Sequence, residues 1–265
     1  MNICMAGALG RMGRRILELT AADAELGIGG AFDLPEKAGE SISVGHESGN
    51  ASEIPLSVTA TEALVEADVL IDFTIASVCM DNVRAAVEAG KAVVLGTTGL
   101  SEHDTKELEV LAHSVPIIFA PNFSVGVNLL FKLVGEAAAI LGLNYNVEIT
   151  ETHHNQKVDS PSGTAQRLGE RVSEALELSY ADHAKHGREG MVGERPLKEI
   201  GMHALRGGDV AGEHTVAFIG QGESVELTHR AHNRDNFARG ALIAAKFAIH
   251  AEPGLYDMQD VLGLK

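Results

Sequence analysis

Two adjacent histidines and a lysine stand out in the segment from Glu151 to Ala165. His153 and His154 are followed three residues later by Lys157. An imidazole titrates near neutral pH, and a lysine close to other cations releases its proton more readily. The segment can therefore supply protons to a reaction and positive charge to an anionic ligand.

The same segment contains the start of a predicted helix. Pro161 and Ser162 precede apolar residues that recur at helical spacing, namely Leu168, Val172, Ala175 and Leu176. Gly163 and Thr164 would lie in the first turn, where backbone N–H groups favour an anion such as a carboxylate. Proton donors and a carboxylate site are thus expected in one stretch of chain.

A predicted strand ends at the two histidines. Apolar and polar residues alternate over 145–154, as they do in a half-buried strand. Adjacent side chains on a strand point to opposite faces, so His153 and His154 need not share a role. That divergence argues against a metal held by the pair, since no third ligand is evident nearby in the sequence. A solvated loop with incidental histidines is the other alternative.

A glycine-rich turn near the N-terminus predicts a dinucleotide site. The apolar run at 2–6 is followed by Gly7, Gly10 and Gly13, and then by a helical pattern. Such glycines let the backbone approach a pyrophosphate at the helix N-terminus. A second apolar run ends in Asp33, and 33 − 13 = 20 residues is the spacing expected for an acid that binds a ribose 2′-OH. The pattern is GxxGxxG rather than GxGxxG, so a turn without a ligand remains the alternative.

Further strands and helices alternate along the first half. Apolar strands are predicted at 68–74, 92–99 and 116–123, with helices at 76–89 and 102–113 between them. This alternation predicts a doubly wound parallel α/β sheet, whose ligands bind beyond the carboxyl ends of the strands. The second half begins with an apolar helix at 126–141 and contains predicted strands at 215–219 and 224–229 and a helix at 235–249.

Composition restricts the class of partner. The chain has 265 residues, and 21 basic against 37 acidic side chains give a formal charge of −16, which opposes nucleic acid and anionic membranes. No run of about 18 apolar residues is seen, which predicts no transmembrane helix, and the N-terminus lacks signal-peptide features. Cys4 and Cys79 are predicted to be reduced core thiols of a cytosolic protein. Residues 39–50 are predicted to form a surface loop.

The chain resembles the 4-hydroxy-tetrahydrodipicolinate reductase (dihydrodipicolinate reductase) family over nearly its whole length. The matching motifs are GALGRMG, GTTG, APNFSVGVN, HHNQKVDSPSGTA, AGEHTVAF and LYDMQDVLGL. The resemblance implies a Rossmann-type domain of residues 1–124 with 235–265. It also implies an α+β domain of residues 125–234 with a mixed sheet, for substrate binding and oligomerisation, and in many members a homotetramer.

The resemblance also assigns roles. It implies catalytic proton transfer by His153 and Lys157, and substrate-carboxylate binding by His154, Gly163 and Thr164. It places NAD(P)H against three loops: Gly7, Ala8, Leu9, Gly10, Arg11 and Met12 with Asp33; Gly96, Thr97 and Thr98; and Ala120, Pro121, Asn122 and Phe123. No metal is expected, because the adjacent histidines diverge and lack a third ligand nearby.

The expected reaction is reduction of a small cyclic dicarboxylate by NAD(P)H in lysine and diaminopimelate biosynthesis. Leu34 stands where other members carry arginine, so we favour NADH over NADPH, although Lys37 is close enough in sequence to reach a 2′-phosphate. Two alternatives stay open: another Rossmann oxidoreductase of a small carboxylic acid, and a protein that senses NAD without catalysis.

Overall fold

The computed structural model describes residues 1–45 and 51–265 of the chain. The chain forms two compact units, one of Met1–Val125 with Asp235–Lys265 and one of Gly126–Arg234.

The first unit is built on a sheet of six parallel strands, which are β1 (Asn2–Ala6), β2 (Gly27–Phe32), β5 (Val69–Asp72), β6 (Ala92–Leu95), β7 (Pro116–Phe119) and β13 (Gly254–Tyr256). Their order in the sheet is β13-β7-β6-β5-β1-β2. The chain order reverses between β1 and β5, which makes this point the switch of a doubly wound sheet. The predicted Rossmann-like class is confirmed.

Helices cover both faces of this sheet because its strands are apolar on both sides. The helices are α1 (Arg11–Ala22), α2 (Ala60–Ala63), α3 (Ala76–Glu88), α4 (Glu102–Leu111), α8 (Asp235–Ala248) and α9 (Met258–Val261). One core contains Ile3, Met5 and Ile71 with residues of α1 and α8. The other contains Leu70 and Val93 with residues of α3 and α4.

Both cysteines lie in this second core, buried and unpaired, as predicted. Burial raises the pKa of the Cys4 thiol to about 12, with a further contribution from Asp72. Burial likewise raises the pKa of Cys79 to about 11. Both thiols are therefore protonated and chemically inert at neutral pH.

The surface loop predicted for residues 39–50 is partly wrong. Strand β3 (Ser41–Gly45) pairs antiparallel with β4 (Ala51–Pro55), and Ile42 and Val44 are buried. Ile42 and Val44 alternate with small residues, and this strand periodicity outweighs the Gly and Ser content on which the prediction relied. Residues 46–50 of the predicted loop lie outside the described part of the chain.

The second unit packs helices on one face of a five-stranded sheet. Its helices are α5 (Val125–Leu141, which starts at the last residue of the first unit), α6 (Gly163–Ala175) and α7 (Tyr180–His183). Its strands are β8 (Asn146–His153), β9 (Ala184–His186), β10 (Ile200–Arg206), β11 (Glu213–Ile219) and β12 (Ser224–Arg230). The order is β12-β11-β8-β10-β9, with β8 parallel to β10 and antiparallel to β11, so the predicted mixed sheet is confirmed.

Helix α5 with the turn after it, Val125–Asn144, is long and apolar enough to cross a membrane by length and composition. The sequence prediction of no such stretch was therefore too strict. Val127, Leu130, Phe131 and Val134 of this helix are buried in the core of the second unit, against the sheet. That packing accounts for one face of the helix, whereas Leu129, Leu133 and Ile140 are exposed.

Candidate active site

The glycine-rich loop of the first unit is a turn too tight for side chains at its glycines. Gly7 has a φ of +75°, which favours glycine. A Cβ on Gly13 would overlap the carbonyl oxygen of Gly7. Helix α1 then begins at Arg11 after Gly10, which provides no side-chain cap. Backbone N–H groups of a first helical turn beside such a loop suit a phosphate.

Asp33 is fixed directly against this loop. One carboxylate oxygen accepts a 2.7 Å hydrogen bond from the Leu9 N–H, and the other accepts a 2.9 Å bond from the Leu34 N–H. The acid therefore lies at the end of β2 beside the turn, as a ribose-binding role requires. Leu34 is 54% exposed, and the Lys37 ammonium pairs with Glu40 at 2.9 Å.

The loops after β5, β6 and β7 meet through aromatic packing. The rings of Phe73 and Phe123 lie 5.6 Å apart between centroids. Gly96 lies under the Phe73 ring, where a Cβ would overlap it. A Cβ on Gly240 of α8 would overlap the carbonyl oxygen of Phe123. Close packing thus fixes the segments 96–98 and 120–123 at the carboxyl edge of the sheet.

Asp72 is a buried carboxylate at this edge that the sequence analysis missed. It has no exposed surface. Its oxygens accept hydrogen bonds of 2.7–2.9 Å from the Thr74 hydroxyl and N–H, the Thr97 hydroxyl and the Asn82 amide. Asp72 therefore connects the ends of β5 and β6 with α3. The available signal was an acid at the end of the apolar run VLI, directly before Phe73.

In the second unit, His153 ends β8 as a buried residue with its ring in contact with a carboxylate. Its Nδ1 lies 2.5 Å from an oxygen of Glu151, which is 1% exposed. Arg206 donates two 2.8 Å hydrogen bonds to the same carboxylate. Burial lowers the pKa of His153, whereas Glu151 opposes that shift. Burial would raise the pKa of Glu151, but bonds from Arg206, His153 and the Ser162 N–H hold it below its ordinary value.

Helix α6 begins next to this carboxylate. Ser162 is its N-cap, since its hydroxyl accepts a 3.2 Å bond from the Ala165 N–H. The Ser162 N–H donates a 3.1 Å bond to Glu151. Gly163 and Thr164 occupy the first turn, as predicted. The predicted anion site is therefore tied to the same carboxylate as the predicted proton donor.

His154 and Lys157 follow in the loop after β8. The His154 N–H donates a 2.8 Å bond to the carbonyl of Val210. The Lys157 ammonium pairs with Asp159 at 2.9 Å. The charged group in contact with Lys157 is thus a carboxylate, rather than the cations on which the sequence argument depended.

His214 is a second residue that the sequence analysis missed. Its ring meets that of His153 edge to face, with centroids 5.2 Å apart, and its Nε2 lies 3.1 Å from the Ser162 hydroxyl. Burial, and then the charge of His153, lower the pKa of His214 to about 3, so this imidazole is neutral at pH 7. The motif AGEHTVAF was the signal that could have indicated it.

The structure places a group of side chains with metal-ligand spacing on α4, in the first unit, whereas His153 belongs to the second unit. Within residues 1–45 and 51–265, the acid and histidine group with ligand-like spacing is His103, Asp104 and Glu107 on α4. The His103 side chain is 85% exposed, and Glu107 is engaged by Arg84 through two hydrogen bonds. In this part of the chain, no metal-type cluster includes His153.

The first unit is a parallel α/β sheet that carries a glycine-rich first loop. The second unit gathers histidine, lysine and a helix N-terminus. The two together in one chain are typical of nicotinamide-dependent oxidoreductases. Comparison with known proteins identifies the family within this class. The family model for the dihydrodipicolinate reductase N-terminus matches residues 1–123, and that for the C-terminus matches residues 126–262.

Curated relatives match over the full length. A 4-hydroxy-tetrahydrodipicolinate reductase of Syntrophotalea carbinolica is 46% identical over 270 residues, and one of Citrifermentans bemidjiense is 46% identical over 266 residues. Each match covers 100% of both chains. The dipicolinate-bound dihydrodipicolinate reductase of Paenisporosarcina sp. TG-14 shares the fold, with a TM-score of 0.78, 24% identity and 98% coverage of both chains. The chain belongs to the dihydrodipicolinate reductase family, which confirms the resemblance seen in the sequence.

Proposed function

We propose that this chain reduces 4-hydroxy-tetrahydrodipicolinate to tetrahydrodipicolinate with NAD(P)H, in lysine and diaminopimelate biosynthesis. Relatives that match it from end to end carry this activity in their names. The observation that carries the proposal is the placement of His153 and the N-terminus of α6 around one buried carboxylate, Glu151. A proton donor beside a carboxylate-binding turn is what an acidic substrate of this kind requires.

The first unit is the proposed dinucleotide-binding domain. The residues that would hold the cofactor are the loop Gly7–Met12, Asp33 and the segments 96–98 and 120–123. Gly13 permits close packing of α1 against the Gly7 carbonyl, where a Cβ would overlap, and a turn this tight suits a pyrophosphate at the helix N-terminus. When bound, the nicotinamide supplies a hydride. Because Leu34 is uncharged and Lys37 is engaged by Glu40, we favour NADH over NADPH.

The second unit is the proposed substrate domain. His154, Gly163 and Thr164 would bind the carboxylates of the substrate. Loss of water removes the hydroxyl from C4 and a proton from the neighbouring carbon, which leaves a conjugated double bond. Hydride is then added to C4, and His153 or Lys157 donates a proton to the neighbouring carbon. The overall reaction consumes one NAD(P)H and one proton and releases NAD(P)⁺ and water.

An absorbance assay of nicotinamide oxidation tests the proposal. The substrate is formed in the cuvette from pyruvate and aspartate semialdehyde by a coupling synthase, with NADH and NADPH in parallel reactions. We expect rapid oxidation that depends on the synthase. Turnover of a different carboxylic acid alone would indicate the other Rossmann oxidoreductases, and binding of NADH without oxidation of it would indicate a sensor.

We also propose a homotetramer whose subunits contact one another through the five-stranded sheet of the second unit. A cytoplasmic location is proposed as well, and the two unpaired cysteines support it. The helices cover one face of the sheet. The other face presents the uncharged side chains of Thr150, Thr215, Ala217 and Ile219 between the acids Glu148 of β8 and Glu213 of β11. We expect a solution mass of about four times the chain's 27.9 kDa. Thr215→Arg should lower that mass, whereas Thr105→Arg on α4 should not.

A further inference from the structure

Glu151 occupies a position from which it can control His153. The two residues lie two apart on β8, so their side chains share the buried face of the sheet. Strand register places Arg206 opposite His153 and His214 opposite Glu151. The Glu151 carboxylate accepts hydrogen bonds from Arg206 and the Ser162 N–H and contacts His153 Nδ1. A carboxylate accepts hydrogen bonds and donates none, so this contact requires a proton on Nδ1.

We propose that Glu151 is a positioning residue that keeps the proton of neutral His153 on Nδ1 and leaves Nε2 to exchange protons with the substrate. This inference rests on the proposed function, in which His153 is a proton donor. Glu151 also fixes the start of α6 through Ser162. The Glu151 carboxylate therefore fixes the position of His153 Nε2 relative to the turn that would bind the substrate carboxylate.

The surroundings of Nε2 agree with this role. Gly212 passes over the ring, and a Cβ on it would lie 3.1 Å from Nε2. The φ of Gly212 is +152°. Since glycine has no side chain, the approach to Nε2 is kept clear at this point. On the other side, the neutral ring of His214 packs edge to face on His153.

The charges around His153 give the direction of its response. The groups that face it are Glu151 on its own strand, Arg206 on β10, His214 on β11, and Lys157 with its partner Asp159 in the following loop. Glu151 stabilises the imidazolium, whereas burial, Lys157 and Arg206 destabilise it. Replacing the carboxylate by an amide removes the stabilising charge and leaves Arg206 uncompensated. The pKa of His153 must then fall.

The experiment compares the unmodified full-length chain with Glu151→Gln and Glu151→Asp by NMR of ¹⁵N-labelled histidines. His153→Gln assigns the His153 signals. In the unmodified chain we expect the neutral imidazole to be protonated on Nδ1. In Glu151→Gln we expect the pKa of His153 to fall by about one unit or more, which is a tenfold change in the protonated fraction. Glu151→Asp, which keeps the charge, should recover part of the shift.

Kinetics provide the second readout. In Glu151→Gln, the limb of the kcat/KM profile that requires protonated His153 should move to lower pH, with turnover at pH 7 reduced about tenfold or more. The matched control is Glu148→Gln. Glu148 lies on the same strand and is also held by arginines, but it is three positions away and so on the opposite face. It should leave both readouts of His153 unchanged.

The outcomes separate the inference from the proposed function. A proton on Nε2 of neutral His153 in the unmodified chain would overturn the inference, and this measurement needs no variant to fold. An unchanged pKa of His153 in Glu151→Gln would also overturn it. Failure of turnover with every substrate, with the NMR results as expected, would overturn the proposed function and leave the link between Glu151 and His153 supported.

Discussion

The Thr97 hydroxyl donates a 2.8 Å hydrogen bond to the carboxylate of Asp72, which has no exposed surface. Thr97 belongs to the GTTG segment, which is a proposed part of the cofactor site. The same carboxylate holds Thr74, whose methyl group would lie 3.2 Å from a Cβ on Gly7. Asp72 thereby supports two of the loops that would surround a nicotinamide cofactor.

Asp72→Ala should weaken both folding and cofactor binding. It leaves several buried donors without their acceptor, at about 1–3 kcal/mol each, so we expect the free energy of unfolding to fall by about 3 kcal/mol or more. Asp72→Asn should have a smaller effect, because its oxygen can still serve Thr74 and Thr97 while the Asn82 amide rotates to accept a bond. Urea unfolding and calorimetric titration with NADH check this. Equal effects of the two variants would contradict the proposed role of the hydrogen bonds.

His153→Ala and Lys157→Ala should lower turnover about a hundredfold or more, because general acid catalysis contributes about 10²–10⁴-fold. The dissociation constant for NADH should stay unchanged, since the proposed cofactor residues belong to the other unit. His250→Ala, at an exposed histidine in the turn after α8, is the matched control and should keep full turnover. Normal turnover in both His153→Ala and Lys157→Ala would contradict the assignment of these residues as proton donors.

Gly212→Ala should slow the reaction more than it destabilises the fold. The added methyl group would lie 3.1 Å from His153 Nε2 and 3.4 Å from Cδ2, in the path by which a proton must reach the substrate. Gly222→Ala is the control, because its φ of +84° is also unfavourable for alanine but no atom lies within 4 Å of the new methyl group. We expect strain of about 1–2 kcal/mol in the control, with turnover preserved. Steady-state kinetics and thermal unfolding of the two variants distinguish these effects.

Much of the first unit could be predicted because its signals are local. The apolar runs at 69–72 and 92–95 and the glycines of the first loop determine strand, turn and helix from neighbouring residues alone. The bounds of α5 and α8 followed for the same reason, since helical spacing is a property of one segment.

The contacts that organise His153 could not be predicted, because they depend on register between distant strands. Arg206 lies 53 residues and His214 61 residues after His153 (206 − 153 and 214 − 153). No local sequence pattern indicates that β10 pairs in parallel with β8 while β11 pairs with it antiparallel. The family signature indicated His153 but not the carboxylate that holds it. A shift of register by one residue would place these side chains on the opposite face.

Acid should destabilise the second unit through Glu148. Burial alone would raise the pKa of this carboxyl, but hydrogen bonds from Arg188, His203 and Arg195 lower it to about 2. A carboxyl with a depressed pKa in the folded state stabilises that state above its unfolded pKa, and this stabilisation is lost as pH falls towards 2. The shift from 4.5 corresponds to about 3 kcal/mol.

Urea unfolding at pH 6 and pH 3 tests this prediction. Glu148→Gln should lower the free energy of unfolding more at pH 6 than at pH 3, because at pH 3 part of the carboxylate's contribution is already gone. The comparison is Glu107→Gln, which breaks the pair with Arg84 on α3 and should cost less, since an ion pair near the surface contributes about 0–1 kcal/mol. An equal loss for Glu148→Gln at both pH values would contradict the linkage.

Leu34 bears on the choice between NADH and NADPH. It is exposed beside Asp33, whose carboxylate would bind the ribose hydroxyls of NADH and repel a 2′-phosphate. Leu34→Arg should raise the ratio of kcat/KM for NADPH to that for NADH about tenfold or more, because a charged hydrogen bond contributes about 1.5–3 kcal/mol. Val110→Arg on α4, which adds the same charge at a residue 67% exposed, should leave the ratio unchanged.

Glu40→Gln, which releases Lys37 from its ion pair, should move the ratio in the same direction as Leu34→Arg but by less. If Leu34→Arg leaves the ratio where it was while Glu40→Gln raises it, Lys37 rather than residue 34 sets the preference.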